Sequence, residues 1–436
     1  MNTIELALKL LEDYENNDKY ANLSLSSHLL DHLPANERGR VTALFYTVVE
    51  HKLTYDYYVG ALSKRSLDSI DPYTLNLLRL GACLILDMDG CKNHTATNET
   101  VKLGRNKGEK GFVNAILRAI IKAREADSLP LPDKTKNYPR YLSVLYSFSL
   151  KTVKLLISLY GEADAELILK RYNSASYTDL SVNLLKIKRE DYIALLEKEG
   201  ITAYPSERSS ISVRIPHSVN PTTFPGYNEG FFFVQDLACA ISSEVLSPRS
   251  GERIIDVCAC PGGKSFSAAI LANGKADVFS FDLHSSKLSL ITSSAMRLGI
   301  SLEVAEQDAT IPRVELFGSF DRVICDVPCS GLGVLGKKPD MRYKQISTEE
   351  LPELQLNILE SSAQYLKVGG TLLYSTCTLL PEENEQVVKR FLGAHPEFCF
   401  EDFSSGDRVS RDGMMTLLPH VDMTDGFFIA KLRKVN

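Results

Sequence analysis

The sequence predicts a multidomain chain: an all-α bundle, a small α+β module, and an open, doubly wound α/β domain. Three observations carry this. Apolar residues recur at helical spacing through the first 125 positions, a proline-rich break follows, and from about residue 236 short β-rich runs alternate with helical stretches.

Taken in order, residues 1–125 read as helix after helix in IELALKLLEDY, VTALFYTVVEHKL, YTLNLLRLGACLILDM and GFVNAILRAIIKA. Asp71-Pro72 has the form of an N-cap followed by proline at the first helical position, where the missing N–H is no loss. Residues 126–140 carry three prolines among polar residues and read as a linker. Residues 141–235 form the α+β module: a helical stretch to about 175, LSVNLLKI as a strand, REDYIALLEKEG as a helix and SISVRI as a second strand. The α/β domain spans 236–436. Its strands are expected at 252–257, 277–281, 302–306, 321–326, 371–376 and 427–432, mostly parallel and buried on both faces.

Composition narrows the classes. The chain has 436 residues, 44% hydrophobic, with a formal net charge of −6, which excludes a basic coat over the whole surface. Contact with a polyanion has to come from local patches. Residues 102–124 hold Lys102, Arg105, Lys107, Lys110, Arg118, Lys122 and Arg124 against Glu109; residues 337–344 hold Lys337, Lys338, Arg342 and Lys344 against Asp340. The nine cysteines show no disulfide framework and no paired C-x2-C zinc spacing, so no metal is expected. The N-terminus lacks an apolar signal core, and a reducing cytoplasm is the expected location.

Doubly wound sheets bind ligands beyond the carboxyl ends of their strands. The first strand of the α/β domain runs into DVCACPGGKS, where Gly262 and Gly263 let the backbone turn and approach a ligand. The second ends in Asp282, placed for ribose hydroxyls, and the third is followed by Asp308, placed for an adenine edge. This is not a dinucleotide fingerprint; the series suits an adenosyl ligand without phosphate.

The fourth strand ends in DVPCSGLGV and the fifth in YSTCTL, which brings Asp326, Cys329 and Cys377 to one rim. A lone cysteine is most often a small buried hydrophobe. Two at adjacent strand ends suit covalent activation of a pyrimidine: a thiolate adds to carbon 6, and carbon 5 becomes nucleophilic enough to take a methyl group.

The segments DVCACPGGKS, DVPCSGLGVLGKKPDMRYK, GGTLLYSTCTLLPEENE and TDGFF resemble the Sun/RsmB family of ribosomal RNA small-subunit cytosine-5 methyltransferases. NETVKLGRNKG followed by GFVNAILR is similar to the NusB-like helical RNA-binding domain of its bacterial members. The resemblance implies that the third domain is a Rossmann-like class I S-adenosylmethionine-dependent methyltransferase. It implies a cofactor site at Cys258, Ala259, Cys260, Pro261, Gly262, Gly263, Lys264, Asp282, Asp308 and Asp326. Cys377 falls on the family nucleophile, Cys329 on the cysteine of product release, and Asp326 on the acid that activates the base. Small-subunit ribosomal RNA, before full ribosome assembly, is the implied partner of a monomer. Arg105, Lys107 and Lys110 in GRNKGEKG, with Lys337, Lys338 and Arg342, are the expected RNA contacts. The chain departs from the family at Cys260, usually alanine, at Ser181, often arginine, and in lacking a Pro-x-Trp at YSFSLKTVK. The alternatives are a DNA cytosine-5 methyltransferase using Cys329, and an RNA-binding assembly factor without catalysis.

Overall fold

The computed structural model describes residues 3–16, 30, 33–174, 177–216, 220–343 and 349–436, and Lys344 lies outside them. The described residues fall into two compact units, one within Met1–Asn173 and Lys338–Gln345, the other within Ser174–Lys337 and Ile346–Asn436.

The first unit is helical: α1 (Thr3–Asn16), α2 (Ala35–Glu50), α3 (Lys52–Ser63), α4 (Pro72–Leu86), α5 (Asn93–Lys102), α6 (Lys107–Glu125), α7 (Tyr138–Tyr146) and α8 (Leu150–Tyr172). The Asp71 cap forms as the sequence predicts. Its carboxylate accepts the N–H groups of Tyr73 (3.1 Å) and Thr74 (3.3 Å), two of the donors a helix start leaves unpaired. α4 is buried nearly all round, so it is the core helix of the bundle. Gly81 lets α6 approach it: a Cβ there would stand 2.6 Å from the Leu117 side chain. The buried Arg79 guanidinium lies between Asp56 (2.6 Å) and Glu15 (2.7 Å), a charge tolerated in the core because it is paired.

The expected linker and module boundaries shift. α7 begins inside the stretch read as a linker, because Pro139 occupies a first-turn position, where a helix accepts proline. By their contacts α7 and α8 group with the helical unit. The Ser147 hydroxyl accepts the Leu53 N–H (3.0 Å), the Thr54 hydroxyl donates to the Val144 carbonyl, and Phe148 is fully buried.

The second unit holds two sheets. The smaller is antiparallel, in the order β2-β3-β1-β4, from β1 (Tyr177–Val182), β2 (Tyr204–Pro205), β3 (Ser212–Pro216) and β4 (Phe232–Val234), with helix α9 (Arg189–Lys198). The expectations for REDYIALLEKEG and SISVRI hold, but of LSVNLLKI only Leu180–Val182 are strand: β1 begins earlier, at Tyr177, and the chain turns from Asn183 on, where the Asn183 carboxamide oxygen accepts the Leu185 N–H (3.2 Å); β2 and β4 are too short to show a period. After α10 (Leu237–Leu246) comes the main sheet, built from β5 (Arg253–Asp256), β6 (Asp277–Asp282), β7 (Glu303–Glu306), β8 (Phe320–Asp326), β9 (Leu366–Thr376), β10 (Phe398–Phe400), β13 (Met414–Leu417) and β14 (Phe427–Lys434). A short hairpin, β11 (Ser404–Ser405) and β12 (Arg408–Val409), lies apart from it. The main order is β10-β14-β9-β8-β5-β6-β7, with β13 against β14. β7, β6, β5, β8 and β9 run parallel; the last strands add antiparallel. Helices α11 (Gly263–Leu271), α12 (Ser285–Leu298), α13 (Leu351–Ala363) and α14 (Glu385–Ala394) complete the Rossmann-like domain. Strand order reverses between β5 and β8, so a cleft opens at their carboxyl ends. Among the described residues no single helix is long and apolar enough to cross a membrane.

Candidate active site

Each strand end delivers one part of the site. After β5 the chain turns through Cys258–Gly262. Gly262 has φ of 109°, and a Cβ there would meet the Phe266 ring at 2.3 Å, so only glycine fits. Asp282, at the end of β6, holds this turn: its carboxylate accepts the Cys260 N–H (3.0 Å) and the His284 N–H (3.0 Å). Asp308 accepts both the N–H (2.9 Å) and the hydroxyl (2.7 Å) of Thr310, and these bonds hold its pKa below the usual carboxylate range.

Asp256, the last residue of β5, is buried and accepts the Ser265 hydroxyl (2.8 Å), while its Oδ1 has no partner among the described residues. Burial pushes its carboxyl up to about 7.

Lys264 stands in the first turn of α11; its side chain is buried, and Nζ donates to Asp326 Oδ2 at 2.6 Å and lies 3.6 Å from Cys239 Sγ. Burial opposes the ammonium charge, but Asp326, Cys239 and Asp256 outweigh it and the net shift is upward. The other Asp326 oxygen accepts the Ser375 hydroxyl at 2.6 Å. Nothing in the sequence alone pairs these groups, because they come from three strand ends.

The two cysteines meet. Cys329 Sγ lies 3.1 Å from Cys377 Sγ, and the Cys377 N–H donates to Cys329 Sγ at 3.3 Å. Neither is in a disulfide and both are partly exposed, so they are accessible as well as close. Gly333 explains how the loops come together. Its N–H donates to the Cys377 carbonyl (2.9 Å), its own carbonyl accepts the Gly426 N–H (2.9 Å), and a Cβ at 333 would stand 1.8 Å from the Gly426 oxygen. The glycine of TDGFF is therefore a seat for the Cys377 turn.

The expected RNA contacts fare unevenly. Arg342 is fully buried, paired with Glu50 (2.9 Å), bonded to Asn173 (2.8 Å) and the Tyr172 carbonyl (3.2 Å), and stacked over Phe148; this corrects the expectation that it meets RNA. Lys337 is likewise engaged, between Asp236 and Asp425 (3.0 Å). Arg105 bridges Asp71 (2.6 Å) and Glu109 (2.8 Å) and acts as a latch between α4 and α6. GRNKGEKG is not a loop: Asn106 caps α6 and Lys107 starts it. Lys107 and Lys338 are exposed, and Lys110 lines an open cleft of about 400 Å³ with His94, Asn98 and Lys102. Ser181, at the departure from the family pattern, is buried and donates to Gln235 (2.6 Å).

Comparison with known proteins agrees with this architecture. Residues 243–433 match the family model of 16S rRNA methyltransferase RsmB/F, residues 1–122 that of the NusB family, and residues 152–221 that of the RsmF/B-like ferredoxin-like domain. The probable ribosomal RNA small subunit methyltransferase B of Bacillus subtilis is 34% identical, covering 99% of this chain and 98% of its own. Its counterpart in Synechocystis is 33% identical, with 99% of each chain covered. The crystal structure of PH0851 superposes with a TM-score of 0.78 at 26% identity over 99% of this chain and 98% of its own. A methyltransferase homolog from Pyrococcus horikoshii gives 0.59 at 26% identity over 67% of this chain and 98% of its own.

Proposed function

The chain belongs to the RsmB/F family of ribosomal RNA small-subunit methyltransferases, and we propose that it methylates carbon 5 of a cytosine in that RNA, with S-adenosylmethionine as donor and Cys377 as nucleophile. The observation that carries this reading is the pair of thiols 3.1 Å apart at adjacent strand ends, beside the Asp326–Lys264 pair.

The residues present fit the cofactor. Gly262 lets the loop after β5 turn tightly over Phe266, the Asp282 carboxylate holds that turn through the Cys260 N–H, and Asp308 follows the next strand end. Cys258, Ala259, Cys260, Pro261, Gly262 and Gly263 would line it, with Asp282 toward the ribose and Asp308 toward the adenine. When bound, S-adenosylmethionine supplies an electrophilic methyl group.

The chain's own residues do the rest. The Cys377 thiolate adds to carbon 6 of an extruded cytosine, and the ring's electron pair is driven onto carbon 5. Asp326 faces the ring edge and accepts a hydrogen bond from the base, while Lys264 and Ser375 fix its orientation. After methylation the proton on carbon 5 leaves, the double bond re-forms, and the sulfur departs with the C–S pair. Cys329, already against that sulfur, assists the departure. Lys107, Lys110 and Lys338 remain as phosphate contacts that position the RNA.

Bisulfite sequencing of small-subunit ribosomal RNA tests the reaction. Cells carrying the wild-type chain should show a protected cytosine that is lost with Cys377→Ala; protection that survives this change would refute the proposal.

A further inference from the structure

We propose that Glu383 is a positioning residue that presents Cys329 to the Cys377 sulfur for release of the methylated product, an inference that rests on the reading of Cys377 as nucleophile.

Glu383 is a fully buried carboxylate in the turn after the Cys377 strand. One of its oxygens does double duty: Oε2 accepts the Ser330 N–H at 2.9 Å and Gln355 Nε2 at 2.8 Å. Gln355, on α13 and also fully buried, donates in turn to the Pro328 carbonyl at 3.0 Å. The peptide groups on both sides of Cys329 thus end on one carboxylate–amide pair. The neighbouring Asn384 does the same for the other sulfur. Its Oδ1 accepts the Thr376 hydroxyl and its Nδ2 donates to the Thr378 carbonyl at 3.1 Å, on either side of Cys377. The Ser330 and Thr378 hydroxyls, 2.7 Å apart, join the two loops directly. The 374 hydroxyl, from Tyr374, seats the turn by donating to the Glu383 carbonyl at 2.7 Å.

A buried carboxylate is an expensive filler unless its charge is used. Here it supplies hydrogen bonds to two donors, one of them on the fully buried Gln355. Removing it leaves the Ser330 N–H and Gln355 amide without an acceptor, and the Cys329 turn relaxes. The Cys377 turn keeps Asn384. The two halves of the reaction then separate. Of the two thiols, adduct formation needs only Cys377. Release needs Cys329 in place while carbon 5 gives up its proton to water, that electron pair re-forms the 5,6 double bond, and the Cys377 sulfur leaves with the C–S pair.

The test uses the full chain with unmodified small-subunit RNA and S-adenosylmethionine. Methyl incorporation and protein–RNA adduct on denaturing gels are followed for the wild type, Cys329→Ala, Glu383→Ala and Glu383→Gln. A displacement of about an ångström slows a step by roughly 10²-fold. Glu383→Ala should therefore accumulate methylated adduct as Cys329→Ala does, with release slowed by that factor and the KM for RNA unchanged. Glu383→Gln keeps an oxygen that accepts from both donors and should restore release to within roughly tenfold. Cofactor binding by calorimetry should match the wild type in both. The proposal is overturned if Glu383→Ala releases product like the wild type, if it loses adduct and turnover together, or if Glu383→Gln behaves like Glu383→Ala. Should Glu383→Ala not fold, Gln355→Leu, which frees Pro328, serves in its place: accumulated adduct supports the role and wild-type release contradicts it. Absence of adduct from Cys329→Ala itself would remove the underlying nucleophile assignment instead, and this inference with it.

Discussion

At the scale of single residues, the site is a set of charges whose protonation states are set by what buries them. Asp256 is an acid whose folded pKa, about 7, lies above its ordinary 3.8 because burial penalises the charged form. The stability it contributes is full below pH 4 and is lost as pH rises through 7, since the folded state holds the proton that the unfolded state has released. In urea melts at pH 4 and pH 8, Asp256→Asn should remove this slope, a difference on the order of 2–4 kcal/mol. An unchanged slope would show that another group carries it. Lys264 makes the opposite point. Lys264→Met strips a partly buried Asp326 of its cation and should lower kcat, with a stability loss of about 1–3 kcal/mol by thermal melt. Equal kcat would remove Lys264 from the alignment of Asp326. The motif DVCACPGGKS shows the glycines and the lysine, but not that the lysine meets an acid 62 residues on.

At the scale of elements, six strands of the main sheet were legible from their apolar, β-rich runs, and the rim followed from their ends; β10 and β13, short antiparallel additions of three and four residues, were not. The cysteines at 329 and 377 were legible for the same reason. Contacts between turns were not. Gly333 and Gly426 read as ordinary glycines until their backbones are seen to touch. Gly333→Ala forces a Cβ against the Gly426 oxygen and should displace the Cys377 carbonyl, giving a folded protein with adduct formation reduced roughly 10²-fold in single-turnover assays. The charge run at 337–344 misled, because a sequence pattern does not reveal burial. Arg342 is buried against Glu50, and Lys337, though exposed, is paired with Asp236 and Asp425, acids that lie far away in the chain. Arg342→Ala should destabilise the helical unit by roughly 3 kcal/mol or more and leave the salt dependence of RNA binding unchanged. A shallower salt slope would return Arg342 to the RNA surface.

At the scale of the whole molecule, a chain of net charge −6 that works on a polyanion has to confine its cations to the surface that meets RNA. Lys107 and Lys338 are exposed and Lys110 faces a cleft, whereas Arg105 is held in surface ion pairs and Arg342 in a buried one. Lys107→Ala combined with Lys338→Ala should lower RNA affinity and reduce the slope of log K against log salt by about 2, one per phosphate contact. The central claim is nonetheless local: a thiolate at 377 bonds carbon 6 of the target base. Reaction with substrate RNA carrying 5-fluorocytidine, followed by digestion and mass spectrometry, tests it directly. The nucleotide should be found on the peptide that contains Cys377, in the wild type and in Cys329→Ala alike; a nucleotide attached at Cys329, or none attached at all, would contradict the account.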